Sequence, residues 1–384
     1  MKITLNHEKL SKLLNYASKA VSSKPNIPIL SNVKLDVTKN DLKLSATNLD
    51  MGINVWIPGV VETEGSITVS AKFLADFVSA STSDNVELEL KDTVLQVKTS
   101  KSKANFNTIP ATEFPVLPKV TETKFFSIES KELLKSLDKV IFSCSTDMSP
   151  GKIQQTGVLF EVVSENDKDS LYMVGLDGFR LSKRKIKVKE LNKELTSNQV
   201  IVPARYLQEM MKIVSDMSEV DVVDIFLSEN KSQIIFKIDE VEFSVRLLEG
   251  PYPDYKRILP DGSAFSFEAD KKEVESAIKV ISTFARSNLA YKTLFDLDVE
   301  NKQVKLKSSV ADVGENETGI AVENVEGESD LNAAYNLRYL QDIVAHISGE
   351  KLKFETKGPL AASVFRDMGD TEFMHILMPL RREV

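Results

Sequence analysis

Cysteine occurs once in this 384-residue chain, as Cys144, so no internal disulfide can form and no cysteine pair offers a metal or redox motif. Its neighbours Val140, Ile141 and Phe142 mark it as a buried structural thiol. Histidine is nearly as scarce. His7, His346 and His375 are far apart, with no cysteine or acid at ligand spacing, and no Gly-Lys-Ser/Thr loop is present to cradle a phosphate. Acidic pairs such as Asp224 and Glu229 fall near expected turns and read as solvated surface, while Ser145-Thr146-Asp147 before a Pro-Gly turn reads as loop. No catalytic residue, metal or cofactor is therefore expected, and a metal-dependent nuclease is disfavoured. Glycine (15) and proline (13) are too sparse for low-complexity tracts or long linkers. No apolar run approaches the roughly 20 residues of a membrane span, and Met1-Lys2-Ile3-Thr4-Leu5 lacks a signal peptide's apolar core, so a cytoplasmic protein off the membrane is expected. Positive charge is short too: 49 Lys and Arg against 57 Asp and Glu leave a net charge of −8, which by itself argues against a conventional basic nucleic-acid binder.

What the chain has is repetition. Lys72-Phe73-Leu74, Arg205-Tyr206-Leu207 and Arg338-Tyr339-Leu340 recur at an interval of 133 residues, each with an acid four positions after the basic residue: Asp76, Glu209 and Asp342. Three copies on one period imply three tandem units of one fold. A length of 384 residues and 42% hydrophobic content fit that count of globular domains. Their bounds are expected at 1–122, 123–260 and 261–384.

Taken in order, the first unit opens with Leu10, Leu13, Leu14 and Ala17 at helical spacing over 7–21. Val33, Leu35 and Val37 then alternate, turn at Lys39-Asn40, and continue through Leu42 and Leu44 as a half-buried hairpin. A second helix over 71–80 carries Leu74 and Val78, and Val86, Leu88 and Leu90 with Leu95 and Val97 form another hairpin. The second unit replays this order with helices over 130–143 and 204–216. Its last hairpin is a tight one, with Ile238 and Val241 flanking Asp239-Glu240. The third has helices over 270–286, where Asp270 and Glu273 form a capping pattern, and over 337–348. Each unit is thus two halves, a helix with its strands, and the fold class is α+β with antiparallel sheets.

Charge is unevenly spread. The six helices hold 14 basic and 10 acidic residues, the remainder 35 and 47. A helical surface that is mildly cationic in an acidic protein is what contact with a polyanion requires, but helix propensity alone also favours Lys and Arg, and at this point both readings stand. Aromatic interleaving and Arg-rich loops are absent, so any nucleic-acid contact is expected at phosphates, independent of base sequence.

Four further segments lie in register on the repeat: Lys24-Pro25-Asn26-Ile27-Pro28-Ile29-Leu30, Leu176-Asp177-Gly178-Phe179-Arg180-Leu181, Tyr252-Pro253-Asp254-Tyr255-Lys256-Arg257-Ile258-Leu259-Pro260 and Met378-Pro379-Leu380-Arg381. With the threefold repeat they make the whole chain resemble the bacterial sliding clamps, the beta subunits of DNA polymerase III. The resemblance implies a head-to-tail homodimeric ring of clamp domains. Such a ring encircles duplex DNA whatever its sequence and gives processivity to the replicative polymerase without being catalytic. It also implies an ATP-dependent clamp loader and other clamp-binding-motif proteins as partners. Packing supports the need for two copies. Six helices spaced about 10 Å apart around a circle leave a bore of roughly 9 Å, too narrow for a duplex, whereas twelve leave roughly 28 Å.

At positions matching the family's basic DNA-facing residues stand Lys24, Lys72, Lys152 and Arg205. The family's partner groove, an apolar pocket for a short peptide bearing a glutamine, a leucine and an aromatic, maps onto Gln155, Leu176, Gly178, Phe179, Arg180, Leu181, Pro253, Arg257, Ile258, Ile376, Leu377, Met378, Pro379, Leu380 and Arg381. Gln155 and Leu176 stand where the family usually has a leucine and a threonine, and Arg382-Glu383-Val384 extends the usual ending. The alternative of a different class is an acidic repeat scaffold that binds protein partners without encircling DNA.

Overall fold

The computed structural model describes residues 1–22, 27–120, 123–165, 168–192, 199–217, 219–287 and 291–381, so Lys24 and the Arg382-Glu383-Val384 extension lie outside the described residues. Among the described residues six α-helices form where the apolar spacing places them: α1 (His7–Ser18), α2 (Ala71–Ala80), α3 (Ser130–Ile141), α4 (Ala204–Asp216), α5 (Lys271–Ala285) and α6 (Leu337–Ala345). Several end up to three residues earlier than the periodicity implies. Their last turns tighten, as in Lys19 N–H to the Tyr16 carbonyl, Ser143 N–H to Val140 and His346 N–H to Ile343, so the apolar stripe runs past the α-helix itself. Side chains cap the starts: Asn6 accepts from Lys9 N–H, Asp270 from Lys272 and Glu273 N–H, and Asn336 from Arg338 N–H.

The 133-residue repeat has a physical basis. In α2, α4 and α6 the repeated basic residue is the second helical position and is exposed, while the leucine two residues on is buried against the sheet. Around these helices each repeat lays down one strand, a helix, four strands, a second helix and three strands; a two-residue strand, Ile109–Pro110, is added in the first. Within every repeat the same neighbours pair, second with third and fifth, third with fourth, first with sixth, and seventh with sixth and eighth, all antiparallel.

Among the described residues the strands join into one 13-stranded and one 12-stranded sheet, and each sheet crosses a border between repeats. The fourth strand of repeat one (Met51–Thr63) pairs the last strand of repeat two (Val241–Arg246), with Val55 opposite Val241 and Met51 opposite Val245. The fourth strand of repeat two (Arg180–Ile186) likewise pairs the last strand of repeat three (Asp370–Leu377), with Arg180 opposite Leu377 and Arg184 opposite Phe373. Cross-border ladders of this length gather the chain into two compact units. The first comprises 1–134, 188–195 and 205–247, and the second 135–187, 196–204 and 248–384, so the middle repeat is shared between them.

In the second unit Ile278, Ile281, Leu340 and Val344 pack from α5 and α6 onto Phe295, Phe354 and Phe365, with ring centroids of Phe354 and its two neighbours 5.2 and 5.3 Å apart. Each such aliphatic side chain contributes roughly 1.5–3 kcal/mol by leaving water.

Two expectations need correction. Asp224 is not at a turn: it sits within the strand Val222–Leu227, accepts from Ser127 Oγ at 2.6 Å and faces Lys124 Nζ at 3.0 Å. Lys139 belongs to a helix expected to be cationic on its exposed side, yet it is buried. Its ammonium lies 2.7 Å from Asp367 Oδ2, and it also donates to the His346 carbonyl. A lysine buried this deeply is kept ionised by such partners rather than by water, so it adds nothing to a cationic surface.

Candidate partner groove and nucleic-acid interface

All of the described groove residues lie in the second unit, where the antiparallel ladder decides which of them meet. Leu176 pairs Leu181 across the hairpin, Leu181 pairs Ile376 across the repeat border, and Ile376 pairs Val364 on the next strand. Side chains on opposed residues share a face. Leu176, Leu181, Ile376 and Val364 are therefore one buried apolar row. Tyr252 and Tyr255 lie over this row in the same cluster with Leu259 against it, which brings the Pro253–Ile258 segment to the floor.

The rim is exposed. Ile258, Phe179, Met378 and Arg257 are all accessible, Arg257 almost fully and bonded to Asp254 at 2.8 Å. The hairpin loop is held by Asp177, whose carboxylate accepts from Phe179 N–H (2.9 Å) and Arg180 N–H (3.0 Å). Gly178 sits at φ +93, a conformation costly for any residue with a Cβ, and a Cβ there would stand 3.8 Å from Gln155 Oε1, which places Gln155 beside the loop. Beyond the last strand, Met378 N–H donates to the Phe179 carbonyl and Leu380 N–H to Ala334, so the tail through Leu380 is fixed against the rim.

Two residues fall elsewhere than the resemblance implies. Arg180 and Leu377 oppose each other one position out of phase with Leu181 and Ile376, so they occupy the other face of the sheet. Leu377 is buried in the third-repeat core. Arg180 bonds Asp177 (3.0 Å) and Asp342 (2.5 Å) and stacks 4.4 Å from the centroid of Tyr339, so it braces the loop rather than lining the floor. Asp342 is the repeated acid of α6, which gives that position a partner. Tyr252, Tyr255, Leu259 and Val364 were not singled out from the sequence as groove residues. The Tyr252-Pro253-Asp254-Tyr255 segment held two of them in plain view, whereas Val364 is identified by its register with Ile376 alone.

Among the basic candidates, Lys72 and Arg205 stand at the starts of α2 and α4 in the first unit and are exposed. Arg205 reaches Asp50 at 3.3 Å and lies 4.4 Å from the Tyr206 ring; Tyr206 donates to the same carboxylate at 3.1 Å, and burial pushes its phenol up to about 12. In the second unit Lys152 is exposed and meets Asp147 at 3.0 Å. The Ser149 hydroxyl and N–H, together with Lys152, pull the Asp147 carboxyl down to about 2. Both cations are thus tethered by exposed carboxylates that a phosphate could displace, since such surface pairs are worth roughly 1 kcal/mol or less.

His346 and His375, distant in sequence, both stack on Phe142, at 4.0 and 5.4 Å. His375 is fully buried with Nδ1 on Ser182 Oγ, and burial drives its imidazole well down, so it is neutral at physiological pH. Among the described residues no group of three or more His, Cys, Asp or Glu is arranged to hold a metal, and no helix is long and apolar enough to cross a membrane. Cys144 is buried, and burial pushes its thiol up to about 12.

Comparison with known proteins gives a consistent picture. Models of the DNA polymerase III beta subunit match in three successive parts: the N-terminal domain at residues 1–118, the central domain at 127–254 and the C-terminal domain at 256–381. A beta sliding clamp of Staphylococcus aureus (strain Mu50) is 27% identical over 390 residues, covering 99% of each chain. That of Bacillus subtilis (strain 168) is 27% identical over 391, covering 99% of this chain and 100% of its own. The crystal structure of the DNA polymerase sliding clamp from Bacillus subtilis superposes with a TM-score of 0.91 at 26% identity over the full length of both chains. The beta chain of DNA polymerase III from Streptococcus pneumoniae gives 0.89 at 25%, covering 99% of this chain and all of its own.

Proposed function

The chain belongs to the DNA polymerase III beta-subunit family, and from that premise we propose that two copies close head to tail into a ring around duplex DNA. The protein is a sliding clamp, the non-catalytic subunit that gives the replicative polymerase its processivity. The comparisons give the acidic-scaffold alternative no support.

One observation carries the head-to-tail closure. The fourth strand of repeat one takes the last strand of repeat two, and the fourth strand of repeat two takes the last strand of repeat three. By the same rule the fourth strand of repeat three (Gly314–Glu326) lacks its partner. Its residues 314–321 pair only with Gln303–Val310, and the last strand of repeat one (Lys103–Asn107) pairs only with Val94–Lys98, among the described residues. Open edges of this kind seek a strand. Charge matches them: Lys103 on one, with Lys101 in the turn before it, and on the other Glu315 and Glu317, the latter held at 2.9 Å by Lys307. When two copies close on each other, each of these two edges finds its partner in the other copy, whereas a filament would leave one of each open at its ends.

The three domains, 1–122, 123–260 and 261–384, belong to the same proposal, as do the finer assignments. Lys24, Lys72, Lys152 and Arg205 touch phosphates, and topological linkage makes tight contact unnecessary, so an acidic protein can slide. The groove built on Leu176, Leu181 and Ile376 and rimmed by Phe179, Arg257, Ile258 and Met378 receives peptides from the polymerase, the ATP-dependent clamp loader and other clamp-binding-motif proteins. Apolar burial supplies affinity there and the rim fixes orientation. Sedimentation equilibrium tests the closure. The protein is expected at twice its 42.8 kDa, and Lys101→Glu with Lys103→Glu is expected to yield monomers that re-form dimers with Glu315→Lys/Glu317→Lys protein. A dimer indifferent to these charges would contradict the edge pairing.

A further inference from the structure

The turn between the third and fourth strands of a repeat holds three residues each time, 48–50, 177–179 and 311–313. At both borders inside the chain its last residue rests on the next repeat's copy of one aromatic. Asp50 accepts from the Tyr206 hydroxyl at 3.1 Å, and the Phe179 ring stacks on Tyr339 with centroids 6.5 Å apart. Main chains meet there too: the Asp50 carbonyl accepts from Arg246 N–H and the Phe179 carbonyl from Met378 N–H, both at 2.8 Å, at the end of the next repeat's last strand. Tyr206 and Tyr339 are aromatics of the 133-residue period, and the third is Phe73. Tyr206 is 8% exposed and Tyr339 half-buried, whereas Phe73 is 66% exposed. The third turn ends in Val313, which is 72% exposed. One exposed apolar residue is ordinary on a protein surface. Here two of them hold the positions whose counterparts meet at both borders. The chemistry changes in step: acid on phenol, ring on ring, and an aliphatic left for a phenyl without the hydroxyl.

We propose that Val313 of one copy packs on the partner's Phe73, an apolar pin at each joint of the ring. This rests on the head-to-tail reading above and adds to it a side-chain contact outside the strand edges. Gly314 follows Val313 directly and opens the fourth strand, as Met51 follows Asp50 and Arg180 follows Phe179. A ladder from residues 314–321 to the partner's first repeat therefore carries the tip onto α2 of that repeat, just as the two ladders inside the chain carry Asp50 and Phe179 onto α4 and α6. Burying the two side chains supplies affinity, while the charged strand edges set register and rate of encounter.

Cross-linking tests the contact directly. Phe73→Cys/Val313→Cys protein and the two single variants are treated with a short bismaleimide and run on denaturing gels; Cys144 is buried and out of reach of the reagent. The double variant is expected at twice the chain mass and the single variants at the chain mass. A second measurement reads the energy of the pair. Phe73→Asp and Val313→Lys, each at an exposed site, are expected to leave the melting of the monomer unchanged and to raise the dimer dissociation constant about tenfold or more in fluorescence-detected sedimentation. Combined, they are expected to dimerise more tightly than either alone, because the two new side chains attract each other. If the unaltered protein is a dimer but the double cysteine variant gives no doubled band, or if Phe73→Asp and Val313→Lys dimerise as the unaltered protein does, the Phe73–Val313 contact is wrong while the ring stands. An unaltered protein that stays monomeric overturns the ring, and the inference with it.

Discussion

Asp367 illustrates how single residues set the stability of the second unit. Burial would push its carboxyl up, but Lys139 Nζ at 2.7 Å and the N–H groups of Ser348, Gly349 and Gly369 outweigh burial and hold it at about 2. A folded pKa below the unfolded one means stability that is complete above about pH 4 and is lost as pH falls toward 2, on the order of 2 kcal/mol. Urea midpoints measured between pH 6 and 2 should show that loss. Asp367→Asn should abolish this part of the pH dependence and cost about 3–5 kcal/mol, because it leaves Lys139 buried and uncompensated. Arg180 gives a second prediction: Arg180→Ala removes both ion pairs bracing the Asp177 loop and should weaken groove-peptide binding by on the order of tenfold in anisotropy titrations. A third concerns phosphate contact. Lys24, Lys72, Lys152 and Arg205 changed to Glu should reduce loading onto primed circular DNA with the dimer intact, and unchanged loading would remove them from the interface. Residue types were legible here and their surroundings were not. Lys139 and Lys135 look alike in sequence, both on α3, yet Lys139 is buried against Asp367 while Lys135 keeps an exposed side chain on Asp370. Only tertiary packing separates them.

At the scale of elements, the helices were readable because their apolar stripes repeat with the helical period and tertiary packing agrees with it. Hairpins such as Ile234–Ile238 with Val241–Val245 were readable because Asp239 takes a left-handed turn between alternating runs. Which strands pair across repeats was not readable. The alternation of Arg180–Ile186 is the same whether its far edge meets solvent or the Asp370–Leu377 strand, so the continuous sheets and the Val364 contribution to the floor emerge only in three dimensions. The C-terminal tail follows from the same ladders. Deleting residues 378–384 removes Met378 and the backbone bond it makes to Phe179. That deletion should abolish binding of a fluorescent groove peptide while leaving the dimer intact; retained affinity would move the pocket elsewhere.

For the whole molecule, three copies of one strand-and-helix order explain why a chain of net charge −8 can serve on DNA. Binding by enclosure asks little of electrostatics, so acids can dominate the surface while a few cations suffice for contact. Period and family motifs made this architecture legible from the sequence, and the edges at 314–321 and Lys103–Asn107, each with one ladder neighbour among the described residues, supply a physical reason for a second copy. Retention on circular DNA tests the claim of enclosure most directly. Protein loaded by a clamp loader onto a nicked circle should remain bound through gel filtration at moderate salt and should be released when a restriction enzyme linearises the DNA. Equal retention on circle and linear DNA, or retention on neither, would contradict it.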